Sequence, residues 1–211
     1  KFLTNIIGNR YDARSEVSVM YDLQNRPEYH RRVLSMAWKY KWSNEGHHDR
    51  YQIDLLDINY LFMPWISDTF RKDYLEDDTN RNAILRYNYE NLLIMKWGVG
   101  YNYNNGRYAI KANVETSGNL LNLCSGLLNF EKNEQGQYQV FGIAYAQYAK
   151  ADFDFTNNIS FDYNNQLIFH VGFGIAYPYG NSTILPFEKR YFSGGANSVR
   201  GWSVRELGPG K

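Results

Sequence analysis

Residues 185–209 read LPFEKRYFSGGANSVRGWSVRELGP, and the fold turns on how this stretch is read. Neither a period of two nor one of 3.6 runs through it, so it is a loop. With its lead-in from Pro178 it forms a segment without strand pattern that continues to Lys211. Structureless loops of that length are usually functional or disordered. Phe187, Tyr191, Phe192 and Trp202 stand among its charges, which favours a packed, shaped loop over disorder. Gly194-Gly195 admits backbone angles that a Cβ forbids. Arg200, between Val199 and Gly201-Trp202, is a rigid and permanently charged fork that wants a buried carboxylate.

Upstream of the loop the pattern is strand after strand. Residues 12–24 put Val17, Val19 and Tyr21 in one phase, and a turn follows at Asn25-Arg26-Pro27. From Tyr29 to Trp42, Leu34, Met36, Trp38, Tyr40 and Trp42 alternate with Arg31, Ser35, Ala37, Lys39 and Lys41. Ile53–Phe62 is a further strand whose apolar phase switches between Leu55 and Leu56, the mark of a bulge. Pro64–Asn80 reads as a long loop with a candidate helical turn. Leu85–Tyr103 alternates again, with Leu93, Met95, Trp97, Val99 and Tyr101 opposite Lys96, Gly98, Gly100 and Asn102. Asn104-Asn105-Gly106 is a tight-turn signal that pairs this strand with Tyr108–Glu115. Leu120–Gln137 is a second long loop, in which LLNLCSGLL is a candidate short helix. Val140–Asp162 reads as one long strand, with Ile143 and Tyr145 facing the same way as Phe153 and Phe155. It turns at Asn164-Asn165 into Leu167–Tyr177.

About seven antiparallel strands, joined alternately by turns and longer loops, match the habit of outer-membrane barrels. Lys39, Lys41, Lys96, Lys111, Lys150 and Asp152 on the polar faces would need water or partners, which a dry sandwich core denies them. The alternation leaves a sandwich with one wet face as the competing fold. In a barrel, the faces of Leu34, Met36 and Trp38 and of Leu93, Met95 and Trp97 meet lipid, and Lys39, Lys96 and Lys111 face inward.

Composition is consistent with this. Lys plus Arg number 23 against 22 Asp plus Glu in 211 residues, so no bulk charge points to nucleic acid. No apolar run is long enough for a transmembrane helix, while 19 tyrosines favour strands and interfacial girdles. The single Cys124 cannot form an internal disulfide. Lys1-Phe2-Leu3 does not open a signal peptide, so the chain is expected to be a piece or a processed form of an exported protein.

Other residues that draw the eye read blandly. His47-His48 sit side by side in a polar turn, a poor arrangement for one metal. Glu76, Asp77 and Asp78 belong to a solvated loop. Gly172-x-Gly174 lies mid-strand with no helix after it, so it admits a close neighbour rather than a phosphate. Gly-x-Ser-x-Gly, His-Glu-x-x-His and Cys-x-x-Cys do not occur, and neither an enzymatic constellation nor a metal or cofactor site is expected.

Pro186-Phe187, then Tyr191-Phe192, Gly194-Gly195 and Val199-Arg200-Gly201-Trp202 together resemble the signature of the BamA/TamA family of outer-membrane assembly proteins. Trp202 stands where many relatives carry Phe or Tyr. The lead-in Ala176–Asn181 looks most like the TamA-like (TamL) branch of the Bacteroidetes. The resemblance implies an all-β, antiparallel transmembrane β-barrel of sixteen strands in a Gram-negative outer membrane. Residues 1–211 would be a partial barrel domain, with a signature loop over 178–211 folded into the lumen. Closing strands and periplasmic modules would lie outside this chain. The implied function is assembly, insertion or translocation of client proteins, in contact with outer-membrane lipid and with inner-membrane or periplasmic partners. The alternatives are a two-partner secretion pore for one dedicated substrate and a barrel that anchors a phospholipase. In this picture Arg200 latches the loop. Its partner would be an acidic strand residue beyond Lys211, or Asp152 or Asp154 here, with His170 nearby. Gly201 would permit close approach to the wall, and Trp202 would pack on it.

Overall fold

Alternating residues lay down the strands, and their register shows how the two faces sort. The computed structural model describes residues 11–72, 89–128, 130–133, 136–195 and 199–202. Among these, β1 (Tyr11–Asn25), β2 (Tyr29–Ser43), β3 (Asp49–Ile66), β4 (Leu92–Asn104) and β5 (Tyr108–Ser117) follow in order. After them come α1 (Asn119–Leu128), the short β6 (Gln139–Val140) and β7 (Ile143–Ala144), then β8 (Tyr148–Ser160) and β9 (Gln166–Pro178). Seven strands form one antiparallel sheet in the order β1-β2-β3-β4-β5-β8-β9, with β1 and β9 as its edges. No described helix is long and apolar enough to cross a membrane.

One face is apolar: Met36 pairs with Ile58 and Ile58 with Met95, while Val114 pairs with Ala151. Met36, Trp97, Val99 and Val114 stay exposed there. The opposite face pairs Asp57 with Lys96, Glu115 with Lys150 and Lys111 with Asp154. The expected bulge is present. Register steps from Trp38↔Leu56 to Lys39↔Asp54, which leaves Leu55 as the extra residue and keeps both apolar runs on one face.

Three sequence expectations give way. First, β3 begins at Asp49 and continues to Ile66, past the Phe62 and Pro64 where a loop was expected. A second register step, from Arg32↔Phe62 to His30↔Trp65, accommodates Pro64, which cannot donate to a regular ladder. The loop that follows opens with a helical turn at Asp68–Phe70; its residues 73–88, with Glu76, Asp77, Asp78 and the expected strand start at Leu85, lie outside the described residues.

Second, Val140–Asp162 is not one strand. Phe141 and Gly142 take positive φ of 54° and 74°, a two-residue turn that folds β6 onto β7. Third, the face of Leu93 is not open along its whole length. Helix α1 and the β6–β7 hairpin form a flap on the apolar side of the sheet. Leu93, Ile143 and Tyr145 are buried together, with Ile58, Tyr60, Phe62 and Leu121 packed around them. Alternation had placed Ile143 and Tyr145 outward on a strand. Tyr145 lies beside Leu93 in a parallel bridge, with Ala146 N–H donating to the Leu93 carbonyl, and so keeps the Leu93 face, whereas Ile143 is buried against Leu93 in the hairpin.

Candidate functional site

The loop after β9 lies on the charged face. Proline opens its working part: buried Pro186 precedes a 3₁₀ turn, Phe187–Lys189, closed by Lys189 N–H donating to the Pro186 carbonyl. That turn aims three successive side chains differently. Phe187 is half-buried. Glu188 meets Arg31 of β2 at 3.0 Å. Lys189 reaches Glu115 of β5 at 3.4 Å.

Glu115 is the hub of this seat. Its carboxylate also accepts from Lys96 at 2.9 Å and from the Tyr148 hydroxyl at 3.2 Å. Lys96 in turn lies 3.4 Å from Asp57, which Lys39 approaches at 4.0 Å. Two carboxylates and three lysines thus share a site in which Glu115 is only 6% exposed. Buried charges persist only when paired and hydrogen-bonded in this way. Burial pushes the Lys189 ammonium below the ordinary lysine range, against the pull of Glu115.

Tyr191 makes the second contact. Its hydroxyl donates to Asp152 of β8, and Lys150 sits 4.3 Å from its ring centre. Burial first, and then the Asp152 carboxylate, raise this phenol above its usual range. The ring can lie flat on the wall because β9 has glycine there: a Cβ on Gly174 would come within 2.5 Å of the Tyr191 ring. The close approach expected at Gly172-x-Gly174 is therefore made by this tyrosine. Gly174→Val should displace Tyr191, cost loop seating about 1–2 kcal/mol, and speed tryptic cleavage after Lys189 and Arg190. Gly100→Ala, where a Cβ would meet only ordinary contacts at 3.5 Å or more, is the control. Equal cleavage in the two variants would remove Gly174 from the seat.

The loop tip has the geometry that its glycines suggest. Gly194 and Gly195 take φ of 95° and 91°. Trp202 N–H donates to the Val199 carbonyl, and Gly195 N–H donates to the Trp202 carbonyl. Arg200 and Gly201 therefore occupy the corner of a turn clipped to the Gly-Gly pair. Phe192, Val199, Arg200 and Trp202 are exposed, and a Cβ on Gly201 would meet open space. Of the carboxylates considered for Arg200, Asp152 holds Tyr191, and Asp154 lies 3.1 Å from His170 Nε2. The structure buries Pro186 and half-buries Phe187 in the same turn as Lys189, and leaves the Arg200 tip exposed.

Sequence reading missed Glu115, Lys189, Tyr191 and Asn181 as site residues. Asn181 and Gln147, both buried, tie the base of the loop to the flap. The Asn181 side chain accepts from Tyr138 N–H and donates to the carbonyls of Tyr138 and Tyr145, while Asn181 N–H donates to Gln147. Toward the short turns the charged face holds an open hollow of about 940 Å³, lined by Lys41, Arg50, Gln52, Asn102, Lys111 and Asn113 among others. His47 binds Ser43 and Asp12, and His48 binds the Asn104 carbonyl. Among the described residues no group of three or more His, Cys, Asp or Glu is placed to hold a metal.

No curated protein and no solved structure gave a match to this chain. Residues 69–211 match the model of the Omp85 superfamily domain. That match begins within the helical turn at Asp68–Phe70 and spans strands β4 to β9 and the seated loop, and the chain belongs to the Omp85 superfamily, outer-membrane β-barrel proteins of Gram-negative bacteria whose general work is protein assembly or secretion.

Proposed function

We propose that this chain is part of a BamA/TamA-type assembly or insertion factor, nearest the TamL branch, in which the loop over 178–211 braces the barrel from inside. The observation that carries this reading is the seat itself. Lys189 on Glu115 and Tyr191 on Asp152 fix a loop to the inward face of strands that must not deform when clients are handled. Residues 1–211 supply part of a sixteen-strand barrel, with periplasmic modules as further parts of the same protein. The chemistry is non-covalent and needs no cofactor. A weakly closed strand edge offers unpaired N–H and C=O groups on which a client outer-membrane strand is templated by β-augmentation. Inner-membrane or periplasmic partners deliver the client.

Within this reading Arg200 latches the tip to a carboxylate outside residues 1–211, because Asp152 and Asp154 are engaged by Tyr191 and His170. Arg200→Ala should then impair growth in a complementation test and reduce the amount of assembled outer-membrane proteins. Arg200→Lys should rescue poorly, since an ammonium lacks the bidentate fork. Full assembly with the Ala variant would remove the latch. Loss of a single exported substrate, with bulk assembly intact, would overturn the assembly reading in favour of dedicated secretion.

A further inference from the structure

The apolar face of the sheet has a lower boundary that can be seen. Near the short turns, Trp42 stacks on Tyr51 at 5.4 Å and Tyr51 meets the tilted ring of Tyr101 at 5.2 Å, a continuous aromatic row. Such rows mark the membrane–water interface of barrels. From Tyr101 in that row, β4 reaches Leu93 in eight residues. At about 3.4 Å per residue and a tilt near 40°, that is about 20 Å along the membrane normal, inside an apolar band about 25 Å tall. Leu93 is the residue on which the flap is seated. The flap therefore sits at hydrocarbon depth, on the lipid side of the wall and in the leaflet away from the short turns.

The outer surface of the flap fits that position. Helix α1 reads NLLNLCSGLL and carries no charge, whereas a helix bathed in water presents a polar face. Leu121 points into the packed interior. Leu120 and Leu123 point away from it, the latter 70% exposed, and Phe141 at the hairpin tip is 90% exposed. The charged residues described in the same excursion are Glu131 and Lys132, with the Lys132 ammonium 4.6 Å from the ring centre of Tyr138. An uncharged surface on the same side of the sheet as exposed Trp97, Val99 and Val114, and bordered by a charged rim, has the pattern of an interfacial element. We infer that the α1–hairpin flap is a lipid-inserted collar: it replaces acyl chains over Leu93, Ile58 and Tyr60 and offers Leu120, Leu123 and Phe141 to the acyl chains beyond.

Nitroxide labels on the intact protein test this, at Leu123→Cys and Phe141→Cys in a Cys124→Ser background. The protein is reconstituted in vesicles of phosphatidylethanolamine and phosphatidylglycerol. Trp97→Cys on the open apolar face and Asn105→Cys in a short turn are the references. Collisions with molecular oxygen relative to a water-soluble nickel chelate should be as frequent at 123 and 141 as at 97, and severalfold more frequent than at 105. Nickel-accessible labels at 123 and 141, matching 105, would place the flap in water and overturn the collar. Labels shielded from both reagents, with spin–spin broadening that grows with protein density, would assign the surface to a second copy and overturn it equally.

Discussion

Glu115→Ala is expected to unseat the loop and weaken the sheet together, by about 3–5 kcal/mol, the usual cost of removing one partner from a buried ion pair. The wild-type carboxylate holds Lys96, Lys189 and the Tyr148 hydroxyl at once. Without it, Lys96 and Lys189 face each other with Asp57 as their nearest anion. Water enters along the loop to solvate them, and the loop leaves the wall. Lys189→Met should cost less, about 1–2 kcal/mol, because Lys96 still compensates Glu115 and the methionine still fills the site. In the double variant the loss should fall short of the sum, since the two residues contribute to one interaction. The measurements are urea unfolding in vesicles and the rate of tryptic cleavage after Arg190. A Glu115→Ala protein with the wild-type midpoint and protected loop would show that Glu115 is not the hub.

The sheet was legible because its two environments differ in polarity. Lys39 against Trp38, or Lys96 against Met95, is a contrast that a period-two reading registers directly, and the phase slip at Leu55-Leu56 located the bulge for the same reason. The helix of the flap was legible in LLNLCSGLL, but its hairpin was not, because both of the hairpin's surroundings are apolar. Ile143 would be apolar on a lipid-facing strand and is equally apolar when buried in the hairpin, and Tyr145 is apolar both on a strand and in its bridge beside Leu93. What distinguishes the two is the backbone at Phe141-Gly142, and a phenylalanine at positive φ gives no signal in the sequence. The loop was recognised from Gly194-Gly195 and Val199–Trp202, yet the residues that seat it were passed over. Lys189 looks like any loop lysine until Glu115, on a distant strand, is brought beneath it. Gly174 was legible as a place of close approach, but nothing in the sequence named Tyr191 as the visitor.

Asn181→Ala is expected to loosen both sides of the wall through one substitution. Asn181 is 7% exposed, and its amide fills three backbone valences: it accepts from Tyr138 N–H at 2.6 Å and donates to the Tyr138 and Tyr145 carbonyls at 3.0 Å each. Alanine leaves those groups unpaired in a buried place, where each costs about 1–3 kcal/mol before water relaxes the loss. A total of about 2–4 kcal/mol is therefore expected. Asn181→Asp keeps the volume and the acceptor for Tyr138 N–H but sets a carboxylate against two carbonyl oxygens, so it should be no better than alanine. The effect has a direction. Tyr138 and Tyr145 belong to the outer flap, whereas Asn181 begins the loop that carries Lys189 and Tyr191 to the inner face. Amide hydrogen exchange should rise first at residues 138–146 and then over 182–191, while the paired amides of β2 and β3 keep wild-type protection. Faster exchange confined to the flap, with the loop unchanged, would mean that the two are held independently and that Asn181 merely packs the hairpin.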